Sequence, residues 1–148
     1  MNTPDYQISV DTGLSPREAF ARISAVSDWW TKGFTGQSQQ AGDTFTVRWG
    51  DTFVDFELAE VEPDKKIVWR VVDSHVPWVK NKGEWTGTKV IWEASQDRGT
   101  TRIGMTHVGL VPQVECYEQC EAGWNFFVGE SLRQLLNENL GMPDRERR

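Results

Sequence analysis

Residues 114–140 read VECYEQCEAGWNFFVGESLRQLLNENL. Tyr117, Cys120, Trp124, Phe127, Val128, Ser131 and Leu135 recur there at the period of one helix face, and Leu132, Leu136 and Leu140 widen the stripe. Gly141 suits a left-handed helix cap, and Pro143 soon after prevents continuation. At 1.5 Å per residue the predicted helix is roughly 40 Å long, enough to cross a whole sheet. A helix with one apolar stripe has to bury it against a partner with one apolar face.

Upstream, residues 44–108 supply that face. Phe45, Val47 and Trp49 alternate with polar residues, and Gly50-Asp51 offers a tight hairpin turn. Val54, Phe56 and Leu58 form the inward set of the next strand, opposed by Asp55 and Glu57. Glu62-Pro63-Asp64-Lys65 reads as a turn, after which Ile67, Trp69 and Val71 point one way and Arg70 the other. A longer connection, 73–83, contains Pro77 and Trp78 and reads as a flap. Val90, Trp92 and Ala94 then alternate against Lys89 and Glu93. Gln96-Asp97-Arg98-Gly99 turns the chain, and Ile103, Met105 and His107 share one side of the last strand. Near the start, Tyr6, Ile8 and Val10 predict a first strand. Ser15-Pro16-Arg17-Glu18 supplies the N-cap, the N1 proline and the capping-box glutamate of a helix carrying Ala19, Phe20 and Ile23. A second short helix is predicted to begin at Ser27 or Asp28 and to carry Trp29 and Trp30.

The order is strand, two short helices, five strands, one long helix. It predicts an α+β fold in which a six-stranded antiparallel sheet, solvated on one face, curls around the C-terminal helix. At 148 residues one domain over 1–148 is expected, with an ordered core of about 5–141 and a tail over 142–148. The net charge of −6 argues against a phosphate-tracking surface and hence against a nucleic-acid partner. Arg145, Arg147 and Arg148 read as a solvated tail. No apolar run approaches the ~20 residues of a membrane span, and the N-terminus lacks a signal-peptide pattern. The protein is therefore read as cytoplasmic, without membrane insertion. Two cysteines fit a reducing compartment better than a disulfide framework.

More specific are Glu84-Trp85-Thr86-Gly87-Thr88, Thr106-His107-Val108-Gly109-Leu110-Val111-Pro112, Glu115-Cys116-Tyr117 with Cys120, Gly123-Trp124 and Ser131-Leu132. Together with the Ser15-Pro16 helix start and Trp29-Trp30, this pattern resembles bacterial START-like proteins of the SRPBCC superfamily. Within it, the similar group comprises homologues of the heat-shock-chaperone ATPase activator. The resemblance covers nearly the whole chain, and 106–124 is its most specific part. It implies the helix-grip fold with a cavity between sheet and helix. Members of the superfamily bind lipids, sterols, polyketides or flavonoids, and some act as cyclases or hydrolases. The group's name also implies a chaperone as a possible partner.

Inward parity places Trp49, Phe56, Trp69, Trp92, Met105, Trp124 and Phe127 between sheet and helix, with His107, Cys120 and Ser131 as polar members of a candidate ligand site. The competing reading is that these side chains simply fill the space, as close-packed interiors do. His107 is either a neutral imidazole offered to a ligand or a core histidine bonded to backbone or to the long helix. His75, in the flap, is expected to be exposed. Cys116 and Cys120, one helical turn apart, read as small core thiols, because a zinc site has three or four protein ligands. Gly123 and Gly129 each cost about 1 kcal/mol inside a helix, offset by close sheet approach or by room for a ligand. No nucleophile motif, phosphate loop or spaced carboxylate pair is visible, so no catalytic residue, cofactor or metal is assigned. Three functions follow, in order. The first is non-catalytic binding of an apolar or aromatic small molecule. The second is an interaction module using Trp30, Phe34 and Trp78 on an outer surface. The third is a cavity enzyme, a cyclase or hydrolase, with His107 as acid–base group. The oligomeric state is left open.

Overall fold

A computed structural model describes residues 5–143; the arginine-rich tail discussed above lies outside them. Its strands are β1 (Tyr6–Thr12), β2 (Phe34–Gly36), β3 (Thr44–Trp49), β4 (Thr52–Glu62), β5 (Lys66–His75), β6 (Lys89–Asp97) and β7 (Thr100–Val108). They form one antiparallel sheet in the order β1-β7-β6-β5-β4-β3-β2. Turn chemistry fixes three of its hairpins. Gly50, at φ 62, opens the two-residue loop between Trp49 and Thr52, and Arg98 (φ 52) with Gly99 (φ 83) closes the loop between Asp97 and Thr100. Asp64, at φ 65, takes the left-handed position between β4 and β5. Register shifts at Asp55/Phe56 and Leu58/Glu60 bend β4 and increase its twist, which curls the sheet.

Six strands stand where expected, and β2 makes a seventh. Phe34-Thr35-Gly36 is too short for a period to show. Gly36 is required there, because at φ 109 an added Cβ would sit 2.4 Å from the Thr44 carbonyl oxygen.

The first helix, α1 (Pro16–Ser24), carries both halves of the Ser15/Glu18 capping box. The second predicted helix is corrected to a single 3-10 turn at Val26–Asp28, with Trp29 and Trp30 following it. The chain leaves helical geometry there because the next residues bond to β3. Thr31 Oγ1 donates to the Arg48 carbonyl at 3.2 Å, and Arg48 N–H to the Gly33 carbonyl at 2.9 Å.

The C-terminal helix is α2 (Tyr117–Phe126), a wider π segment (Phe127–Leu132) and α3 (Arg133–Glu138). Phe127, Leu132 and Arg133 keep right-handed helical dihedrals, so the three run on as one rod. The rod is shorter at both ends than 114–140. Its left-handed cap is Asn139, at φ 61, rather than Gly141, and Leu140 is 69% exposed rather than part of the stripe. Gly141 serves a close approach instead, since an added Cβ would lie 2.2 Å from the Asp28 carbonyl oxygen. No helix among the described residues is long and apolar enough to cross a membrane.

Between sheet and rod lies a core of indole rings. Trp30, expected on the outer surface, is only 3% exposed and sits at its centre. Its ring centroid lies 5.8 Å from Trp29, 5.7 Å from Trp49, 6.4 Å from Trp69 and 4.9 Å from Trp124. Aromatic pairs at such spacings add to the energy of plain area burial.

Candidate functional site

His107 organises one end of the core. Trp124 Nε1–H donates to His107 Nδ1 at 3.0 Å, which leaves the ring proton on Nε2, facing Thr88 Oγ1 at 2.9 Å. The Thr88 hydroxyl donates in turn to the Trp85 carbonyl at 2.6 Å. Burial lowers the His107 pKa to about 3, so the imidazole is neutral at any ordinary pH. Beside it, Trp85 Nε1–H donates to Cys116 Sγ at 3.4 Å and to Cys120 Sγ at 3.3 Å. Its hydrogen bond with Cys120, then burial, push the Cys116 thiol well above its ordinary range. A thiol held protonated is no nucleophile. Among the described residues no His, Cys, Asp and Glu cluster could hold a metal ion.

This polar chain fixes the Trp85 and Trp124 rings, stacked at 6.0 Å with 17° between planes. In front of them opens a cavity. Trp30, Trp49, Trp85, Trp124 and Phe127 form its aromatic wall, and Thr52 and Val54 contribute from β4. Gln119, Cys120 and Gly123 face it from α2, and Val76 and Trp78 from the loop after β5. The cavity is about 40 Å³, widening to about 480 Å³ with the space that opens towards solvent. No charged side chain lines it among the described residues. The hollow on the outer sheet face around Gly104, with Gln7, Ser9, Glu93 and Thr106, is more polar and more open.

Of the candidate ligand residues, Trp49, Cys120, Trp124 and Phe127 line this cavity. Phe56, Trp69, Trp92, Met105, His107 and Ser131 lie in the packed core beyond its wall, each at most 1% exposed. Ser131 Oγ donates to the Trp29 carbonyl at 2.7 Å and accepts from Met142 N–H at 2.7 Å. Among the described residues, Trp92 Nε1 is buried without a hydrogen-bond partner, its ring set edge-on to Trp29 and Trp69. His75, expected to be exposed, is half-buried and stacks on Phe53 at 5.9 Å. The reading from sequence did not place Trp30, Thr52, Val54, Val76, Trp78, Trp85 or Gln119 in the candidate site, and it left Gly123 open between close sheet approach and room for a ligand. Thr52 was accessible in principle, since it shares the parity of Val54 and Phe56. The two helix glycines also separate: Gly123 borders the cavity, whereas an added Cβ at Gly129 would meet Ile8 Cδ1 of β1 at 3.2 Å.

The sequence profile of the family described as Activator of Hsp90 ATPase homolog 1-like protein matches residues 18–137. No curated protein sequence matches the chain. Among solved structures, the Aha1 dimer from Colwellia psychrerythraea superposes with a TM-score of 0.71 at 19% identity, over 93% of this chain and 97% of that one. DynU16, a protein of the dynemicin biosynthetic locus, gives 0.67 at 20% identity, over 91% of this chain and 48% of that one. CalU16 from Micromonospora echinospora gives 0.62 at 13% identity, over 83% and 70%. At such identities the superpositions speak for the fold, and the matched profile for descent. The chain belongs to the Activator of Hsp90 ATPase homolog 1-like family, within the START-like SRPBCC superfamily.

Proposed function

We propose that the protein binds an uncharged apolar or aromatic small molecule in the cavity under Trp78, without chemical conversion. The observation that carries this reading is the wall: five tryptophans and Phe127, with Thr52, Gln119 and Cys120 as the polar groups. Ligand sites are mostly apolar with a few placed polar groups. A charged ligand would be stripped of water with no opposite charge to meet it. The fold shared with a protein of a biosynthetic locus is in keeping with this class of ligand.

Two rival readings lose support. An outer docking face, as the family description invites, was to use Trp30, Phe34 and Trp78. Trp30 is inside, Phe34 is half-buried, and Trp78, 46% exposed, belongs to the cavity mouth. An acid–base role for His107 meets a ring that is sealed, neutral and behind the cavity wall.

Thermal shift against fatty acids, sterols, flavonoids and polyketide-like aromatics tests the proposal, with Gly123→Leu as the cavity-filling control. A binder present at a hundred times its Kd adds about 2.7 kcal/mol, or roughly 5–10 °C in Tm for a chain of this size. The rise should vanish in a folded Gly123→Leu. A rise of equal size in both forms places the ligand elsewhere and ends the proposal.

A further inference from the structure

We infer that residues 76–84 form a lid over the cavity, held shut by a reciprocal pair of carboxylates, Glu84 and Glu115, which couples the lid to the start of α2. The helix opens without a cap of its own, because its N-cap residue is Cys116 and no local side-chain bond forms there. Glu84, more than thirty residues upstream, supplies the cap. Its carboxylate accepts Glu115 N–H at 2.8 Å and Cys116 N–H at 3.1 Å. These donors lie at the helix end where backbone N–H groups are unpaired and negative charge is favoured. Glu115 returns the contact, its carboxylate accepting Lys80 N–H from the lid at 3.0 Å. Each segment thus satisfies backbone donors of the other.

The lid is a unit with a fixed base. Val76 N–H to the Lys82 carbonyl (2.7 Å) and Glu84 N–H to the Asn81 carbonyl (3.0 Å) close it on itself. Behind it, Gly87 N–H bonds to the Val71 carbonyl and Val71 N–H to the Thr88 carbonyl, which pins the chain to β5. Trp78 rides on the lid, and Gln119 and Cys120 follow on the helix it caps. With the lid in place the cavity measures about 40 Å³. A cavity that takes one benzene ring measures about 150 Å³, so a ligand that enters fully has to displace the lid, and the clasp sets access to the cavity. That last role rests on the ligand-binding reading; the clasp itself does not.

The test is amide hydrogen exchange by NMR on wild type, Glu84→Ala, Glu115→Ala and Glu84→Gln, followed by stopped-flow binding of the neutral probe N-phenyl-1-naphthylamine. Cross-effects decide it. Glu84→Ala should speed exchange of Lys80 N–H, which Glu84 does not touch, and Glu115→Ala that of Cys116 N–H. Each rise should be about tenfold or more, the size expected from losing one charge-assisted hydrogen bond. Amides of β6 and β7 should be unchanged, which also certifies the fold, and Glu84→Gln, keeping one acceptor oxygen, should fall between. If each alanine variant frees only its own donors, the clasp is refuted. Coupled exchange with an unchanged probe association rate refutes the access role alone. Coupled exchange with no probe binding by any form leaves the clasp standing and refutes the ligand-binding reading with the access role.

Discussion

His107 keeps a single tautomer because both ring nitrogens are engaged, Nδ1 by Trp124 and Nε2 by Thr88. Its folded-state pKa, lowered to about 3 by burial, lies below the roughly 6.5 of an unfolded histidine. Below pH 6.5 the unfolded chain takes up a proton that the folded chain refuses until near pH 3. The stabilisation is therefore whole above pH 6.5 and declines as pH falls through the window from 6.5 towards 3, by at most about 1.4 kcal/mol per unit. Urea denaturation at pH 7.5 and at pH 5 should show wild type losing about 2 kcal/mol more than His107→Gln. Equal losses would mean that His107 protonates inside the fold. The inward side of this residue was legible from its parity with Ile103 and Met105. Its partners were not, because Thr88 stands in a segment without period and Trp124 on another element.

At the scale of elements, what is local in sequence was legible. The Ser15 capping box, the Gly50 hairpin and the Asp64 turn each depend on residues within four positions, and each stands as read. What depends on a distant partner was not. Gly141 looked like a helix cap, but its role is to let the chain pass the Asp28 carbonyl, and Asn139 does the capping. The two short helices became a helix and a turn because β3 draws Thr31 away. Glycines in and after the rod give a direct check. Gly123→Ala should raise stability by up to about 1 kcal/mol, since Gly123 borders the cavity. Gly141→Ala drives a Cβ to 2.2 Å from a backbone oxygen and should cost about 1–3 kcal/mol. Chemical denaturation of both variants reads the signs, and a stabilising Gly141→Ala would contradict the packing described here.

For the whole molecule, sheet parity brings every inward aromatic towards the rod, so sequence alone offered one long candidate site. The space is divided by Trp29 and Trp30, which arrive from the turn after α1. Trp29 packs edge-on to Trp92 at 5.7 Å, while Trp30 lies against Trp69 at 6.4 Å and Phe56 at 5.9 Å. That half is filled, and the cavity lies at the lid end. No spacing rule could reveal this, since it depends on where a short turn delivers two rings. The eight tryptophans supply their own reporters. The most direct measurement is a titration of ¹⁵N-labelled protein with N-phenyl-1-naphthylamine, following the indole N–H resonances. Binding in the cavity predicts saturable shifts at Trp30, Trp49, Trp78, Trp85 and Trp124, with Trp29, Trp69 and Trp92 essentially unmoved. Shifts at Trp78 alone, or at none, would contradict a ligand cavity between sheet and helix.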